Sequence, residues 1–445
     1  MNARERKAAM AYGEKYKAFL DTARTERLAA AEIIRRAEEK GFKPVYTMKS
    51  LKAGDKVYWN QKDKSVILAV IGKEPVHEGI KIVGSHIDSP RLDLKANPVH
   101  EQDGIVYFRT HYYGGIKKYQ WTCIPLALIG VVFTKDGKKV DINIGLKDSD
   151  PVFYVSDLLI HMAQDQMKKT LAEGITGEQL QAVAGTHSEE GQTPKDAIMT
   201  LLKKEYGIEE EDFAAAELEL VPATKSRDVG FDRSLIASYG QDDRACAFTS
   251  VQALFDSTAK TRTNCCLCVD KEEIGSVGAT GMGSHLLENA VAEIISRMSG
   301  GYSDLTLRRC LAHSAMLSSD VNAAFDPMNG NLYDKDNSSF LGGGIVFNKY
   351  TGSRGKYSAS DANPEFIAKV RALMEKNDIP FQMAELGKVD QGGGGTIAYL
   401  AAKYGMDVLD AGVSVLSMHA PWELTNKEDI CTAYRCYKIF LSLEK

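Results

Sequence analysis

A chain of 445 residues is too long for one ordinary hydrophobic core, so two domains are expected. Apolar residues make up 44% and charged residues 26%, and the net charge of −5 argues against a nucleic-acid partner or an anionic membrane surface. No stretch approaches the roughly 20 apolar residues that span a bilayer. The charged, amphipathic residues 1–40 also lack the apolar core of a secretory signal, so a cytoplasmic location is expected.

In chain order, the periodicity predicts a helix over residues 25–40, closed by Gly41, and strands near 65–71 and 80–84. From about Pro98 to Gly230 the pattern changes to strands at 105–109, 126–133 and 140–144, with Lys135-Asp136-Gly137-Lys138 turning between the last two. A helix over 194–206 is capped by Thr193 and stopped by Gly207, and the acidic run 209–212 reads as a solvated loop or helix end. Strand and helix alternate again from Phe231. Apolar runs at 265–269 and 413–416 read as strands, and 245–255 and 284–298 as helices. Asn363-Pro364 opens a further helix with Phe366, Ile367, Val370 and Met374 as its apolar stripe, and Thr425 with Glu428 forms a capping box before the last one. The fold class is therefore α/β: a mixed, mostly parallel sheet covered by helices, formed by residues 1–97 and 231–445, with a β-rich domain inserted at 98–230. The eight cysteines contain no C-x-x-C pair, and buried reduced thiols are their simplest reading, with Cys266 and Cys268 on one strand face and Cys265 on the other.

Chemistry gathers where the apolar runs end. His86-Ile87-Asp88, Asp242-Asp243-Arg244, Glu272-Glu273, Ser319-Asp320 and Met418-His419 each follow a strand-like run. Open α/β sheets collect their sites at the carboxyl edge. Adjacent ionised carboxylates there are costly unless something cationic meets them. Five such ends carrying His, Asp and Glu point to two divalent metals and a metallohydrolase. Residues two apart on an extended chain face the same way, so His86 can bind a metal while Asp88 orients it. Asp242, before a helix, could bridge two ions. Of the neighbours Glu272 and Glu273, one can bind metal while the other stays a free base. Asp320 and His419 complete the set. Nitrogen and oxygen donors without thiolate suit zinc, manganese or cobalt.

In this order and with their flanking residues, these segments resemble the M18 family of metallo-aminopeptidases, the aspartyl aminopeptidase family, and look most like its bacterial branch. The resemblance rests on Gly84-Ser85-His86-Ile87-Asp88-Ser89-Pro90-Arg91-Leu92, Asp242-Asp243-Arg244, Asp270-Lys271-Glu272-Glu273-Ile274-Gly275-Ser276, Ser319-Asp320-Val321-Asn322 and Ser417-Met418-His419-Ala420. It spans nearly the whole chain. It implies a zinc-peptidase-like fold and an enzyme that removes the N-terminal residue of peptides by means of a hydroxide held between two metals. His86 and Asp320 would bind one ion, Glu273 and His419 the other, with Asp242 bridging, Glu272 as general base and Asp88 behind His86. A cis peptide after Asp242 is implied as well.

Further expectations come with the resemblance. His161, on the apolar segment Leu158-Leu159-Ile160-His161-Met162, reads alone as a core or interface histidine. In the family such a residue reaches a neighbouring subunit's active site. Lys349 and Tyr357 stand in segments similar to the family's substrate side, and Gly392–Gly395 reads as a backbone-lined pocket wall. Homo-oligomers are implied, dimers joined through the inserted domain and assembled into a tetrahedral dodecamer. Rival readings are a metal amidohydrolase or carboxypeptidase of the same type, and a binding or scaffold protein with an inactive site. Retention of all five ligands and the base speaks against the last.

Overall fold

The computed structural model describes residues 3–259 and 261–443. Its contacts divide the chain into one unit of Met1–Asp88, Ser226–Met418 and Glu423–Lys445, and a second of Ser89–Lys225 and His419–Trp422. The boundaries expected at 97 and 230 thus fall at Asp88 and Lys225. The reason lies in Arg91–Gln102, which is one continuous strand of the second unit. Pro98 lies where its register shifts, between Leu94 and Val99. A proline at a bulge interrupts the sequence pattern without ending the strand.

The first unit is built on a nine-stranded sheet. Across it run Lys43–Pro44, Lys56–Gln61, Ser65–Val70, Asn264–Val269, Lys81–His86, Ala315–Ser318, Asp407–Gly412, Ile345–Asn348 and Phe381–Met383. The strands from Asn264–Val269 to Asp407–Gly412 are mutually parallel, with Val269 beside His86 and Ser318 beside Gly84, so their carboxyl ends line one edge. Alternate side chains enter two cores. Val83, Cys266, Cys268 and Leu317 pack with Phe19, Ile33, Phe248, Phe366 and Tyr437 from the helices on one face. Ile82, Cys265, Leu267 and Met316 pack with Leu287, Val291, Ile294, Leu311 and Ala401 on the other. The expected split of Cys265 from Cys266 and Cys268 follows from this period of two. All eight cysteines are free, and burial pushes the Cys265, Cys266, Cys246 and Cys436 thiols up.

A five-stranded sheet, Arg227–Val229, Leu235–Ser238, Glu423–Asn426, Ser414–Leu416 and Asn322–Ala323, completes this unit. Its strand Glu423–Asn426 leads directly into the helix Lys427–Leu441. The cap of that helix is Asn426, whose side chain accepts from Glu428 N at 2.7 Å, and not Thr425. Thr425 lies within the strand and donates its hydroxyl to Gln241. At Pro364–Lys376 the expected Asn363 and Pro364 do open the helix, with Phe366, Val370 and Met374 buried.

The second unit is a seven-stranded sheet in which every pair is antiparallel, ordered Lys139–Ile144, Leu126–Phe133, Ala216–Pro222, Arg91–Gln102, Ile105–Tyr113, Gln181–Gly185 and Tyr154–Val155. Thr193 caps the helix Pro194–Tyr206 in a reciprocal box with Asp196, and left-handed Gly207 ends it. The acidic run is only partly solvated. Asp212 is buried and accepts from the backbone N–H of Lys135 and of Glu209, both at 2.8 Å.

One buried carboxyl of the first unit has a consequence for stability. Asp429, in the first turn of Lys427–Leu441, accepts from Gly342 N at 2.7 Å and Gly344 N at 2.8 Å, yet burial pushes it up to about 7. The folded chain therefore binds this proton more tightly than the unfolded chain. The resulting stabilisation is complete below about pH 4 and is lost as pH rises through about 7. Asparagine cannot titrate. Between pH 5 and pH 8 the stability of Asp429→Asn relative to the parent, read from thermal melting at each pH, should therefore rise by on the order of 1–2 kcal/mol. A difference that does not change with pH would contradict this.

Candidate active site

Three parallel strands deliver the principal groups. His86 ends Lys81–His86, Glu272 and Glu273 follow Asn264–Val269, and Asp320 follows Ala315–Ser318. Asp242 comes from a different direction, in the opening turn of the helix Gln241–Phe255, and the Asp242–Asp243 peptide is cis. Ligand atoms of His86, Asp242 and Glu273 lie within 4.8 Å of one another, as do those of His86, Asp243 and Asp320. Four sequence-predicted metal ligands therefore meet around one imidazole.

Local contacts fix each of them. His86 Nδ1 lies 3.1 Å from the Asp88 carbonyl and 3.3 Å from Asp88 Oδ1. A proton on Nδ1 turns the lone pair of Nε2 toward Asp242 Oδ1 at 3.2 Å and Asp320 Oδ1 at 3.8 Å. Asp88 also serves the next strand. Its two carboxylate oxygens accept from Glu272 N at 3.1 Å and Glu273 N at 3.2 Å. Both ends of the intervening loop are pinned: Asp270 N donates to Ser65 Oγ at 3.0 Å, and Thr280 Oγ1 donates to Asp270 Oδ2 at 2.6 Å. Lys64, buried with Asp270, stands 3.4 Å from that same oxygen. Ser319, just before Asp320, donates to Tyr437 Oη at 2.6 Å, which in turn donates to Ala411 O at 2.6 Å. The strand carrying Ala411 approaches so closely that a Cβ on Gly412 would lie 1.6 Å from the Asp320 carbonyl oxygen, so only glycine fits.

The electrostatics match a cation site. Burial pushes the Glu272 carboxyl up to about 8, with Asp320, Asp88 and Asp242 adding to the rise and His86 opposing it. Asp320 is also raised by burial and lowered by His86. Burial alone would lower His86, but Asp242, Asp320 and Asp88 hold it well above its ordinary value. Several buried carboxyls against one imidazole is an excess of negative charge that a divalent cation would offset. The donors are imidazole nitrogen and carboxylate oxygen, without thiolate, which fits zinc, manganese or cobalt.

Asp243 was not singled out by sequence reasoning. It is fully buried, accepts from His86 N at 3.3 Å and is raised by burial and then by Asp320. The Asp-Asp pair was visible, but an N-terminal helical aspartate reads first as a cap. His419 groups with the second unit, where its Nδ1 stands 2.8 Å from the Gly115 carbonyl; a proton on Nδ1 would put the lone pair on Nε2.

His161 lies on an exposed turn, Ile160–Met162, beside exposed Leu158, Leu159, Ile160 and Met162, which corrects the core reading. Lys349 and Tyr357 are exposed as well. The neighbours Tyr350 and Lys356, together with Arg354, Glu385, Lys388 and Gly392, line a cavity of about 360 Å³. Of the glycine run, Gly392 therefore forms part of that wall, and Gly394 accepts from Gly352 N at 2.5 Å.

Comparison with known proteins identifies the family. Residues 19–441 match the family described as Aminopeptidase I zinc metalloprotease (M18). A probable M18 family aminopeptidase 1 from Clostridium acetobutylicum is 51% identical over 444 residues, covering 98% of this chain and 95% of that protein. The crystal structure of an M18 family aminopeptidase from Thermotoga maritima superposes with a TM-score of 0.96 at 40% identity, over 99% of this chain and 98% of that one. A Saccharomyces cerevisiae aminopeptidase, the mApe1 dodecamer, shares the fold at a TM-score of 0.77 and 20% identity, over 96% and 95% of the two chains. The chain belongs to the M18 family of zinc metallo-aminopeptidases.

Proposed function

We propose that this aminopeptidase works with two divalent ions, zinc foremost, and acts on the free N-terminus of peptides. What carries the reading is the gathering of Asp242, Glu273 and Asp320 around the imidazole of His86. His86 and Asp320 would hold one ion and Glu273 and His419 the other, with Asp242 serving both. His419 enters through the similarity of Ser417-Met418-His419-Ala420 to the family's motif. When bound, the ions supply Lewis acidity toward water and the scissile carbonyl.

The chain's own groups do the rest. Glu272 takes a proton from the attacking water and passes it to the leaving amine. Asp88 orients His86 through Nδ1 and holds the Glu272-Glu273 backbone, so one carboxylate aligns both ligand and base. Tyr350, Arg354 and Lys356, close in sequence to the expected Lys349 and Tyr357, are among the groups that line the cavity. A panel of aminoacyl-arylamides tests the reading. Substrates with a free α-amine should be hydrolysed and their N-acetylated forms should not. Equal hydrolysis of both would favour an amidohydrolase.

The same reading gives the enzyme a homo-oligomeric form, dimers joined through the inserted unit and built into a tetrahedral dodecamer, with a cytoplasmic location. The exposed apolar run around His161 supports an interface there. Among the described residues no helix is long and apolar enough to cross a membrane. His161 would then act at the active site of a neighbouring subunit. Light scattering that finds only monomer would contradict the assembly.

A further inference from the structure

The helix Gln241–Phe255 opens irregularly. Gly240 ahead of it is left-handed at φ 70°, and Asp242 (φ −79°, ψ 106°) and Asp243 (φ −117°, ψ 30°) leave helical geometry. The first N–H groups of any helix lack a partner within it. Here they are also shut away from water, since Gln241 and Asp242 are both buried. An unpartnered N–H in such a place is costly.

Both find the same acceptor. Glu423 Oε2 lies 2.6 Å from Gln241 N and 3.1 Å from Asp242 N. Glu423 is buried too, at the start of the strand Glu423–Asn426, where it stands in register with Ser238. The Gln241 side chain closes the joint from the other side. Its Nε2 donates to Glu423 O at 2.6 Å and Ile236 O at 3.0 Å. Its Oε1 accepts from Thr425 Oγ1 at 2.6 Å and Tyr16 Oη at 3.2 Å. The strand thus grips the backbone that carries Asp242.

We infer that Glu423 is a positioning residue for Asp242, setting where its carboxylate can reach an ion. The inference rests on the reading of Asp242 as a bridging ligand. An oxygen at the right reach is what the two N–H groups require. A plain helix cap would add to stability and leave ion affinity unchanged.

Glu423→Gln and Glu423→Asp in the full chain separate reach from charge. Glutamine keeps an acceptor at the same distance, whereas aspartate keeps the charge and draws the oxygens back by one methylene. Zinc affinity is read by competition with a chromophoric chelator, and melting of the zinc-free proteins reports the fold separately. Glu423→Gln should bind zinc and turn over within about 3-fold of the parent. Glu423→Asp should bind at least one zinc about 10-fold more weakly, the range for loss of a supporting contact, with kcat lowered and KM within about 2-fold. Parental zinc affinity in Glu423→Asp would overturn the inference, leaving only a helix cap. An equal loss in Glu423→Gln would overturn it in favour of charge. A parent protein that takes up no zinc would sink the metal reading itself and this inference with it.

Discussion

Glu272→Gln should lower kcat by about 10²–10⁴-fold, the usual contribution of a positioned acid–base group, while the protein keeps its metal. Glu273, and not Glu272, belongs to the clusters of ligand atoms found among the described residues. The two are neighbours in a turn whose backbone N–H groups both donate to Asp88. Glutamine preserves the shape of Glu272 but cannot take up a proton, which removes the proposed base. KM should change little, because proton transfer belongs to the transition state. Loss of zinc together with turnover would instead make Glu272 a ligand.

Asp242→Ala should lower turnover by about 10³-fold or more, with zinc content falling as well. Asp242 lies 3.2 Å from His86 Nε2 and shares a cluster with Glu273. A bridging carboxylate serves both ions, so its removal weakens two sites at once. Loss of the ions would in turn leave the remaining buried carboxyls without the cations that offset them. Zinc stoichiometry measured beside activity distinguishes the roles. A variant that still holds the parental amount of zinc would show that Asp242 does not bridge.

Much of this site was legible because its residues follow apolar strands whose ends must coincide in an open α/β sheet. His86, the pair Glu272-Glu273 and Asp320 all follow from that rule, and the neighbouring parallel strands that end in them lie side by side; the choice of Glu273 over Glu272 as ligand comes from the family resemblance. The period of two also sorted Cys265 from Cys266 and Cys268 correctly. What failed was local competition. Thr425 made a plausible capping box with Glu428, but strand pairing claimed it and Asn426 took the cap. Pro98 looked like a boundary, although a bulge accommodates it inside a twelve-residue strand. Ala216–Pro222, with its glutamates at alternate positions, gave too weak an apolar signal to be read as a strand, yet it lies inside the sheet of the second unit. Asp243 and Glu423 were not singled out because their roles arise from tertiary contacts to His86 N and to the N–H groups of Gln241 and Asp242. No periodicity in the chain encodes those contacts.

The most direct measurement is a zinc titration of the chelator-stripped enzyme, followed by activity and by metal content per chain. Activity should be absent from the stripped protein and return as about two equivalents bind. Full activity in the stripped protein, or saturation at a single equivalent, would contradict a paired-ion site.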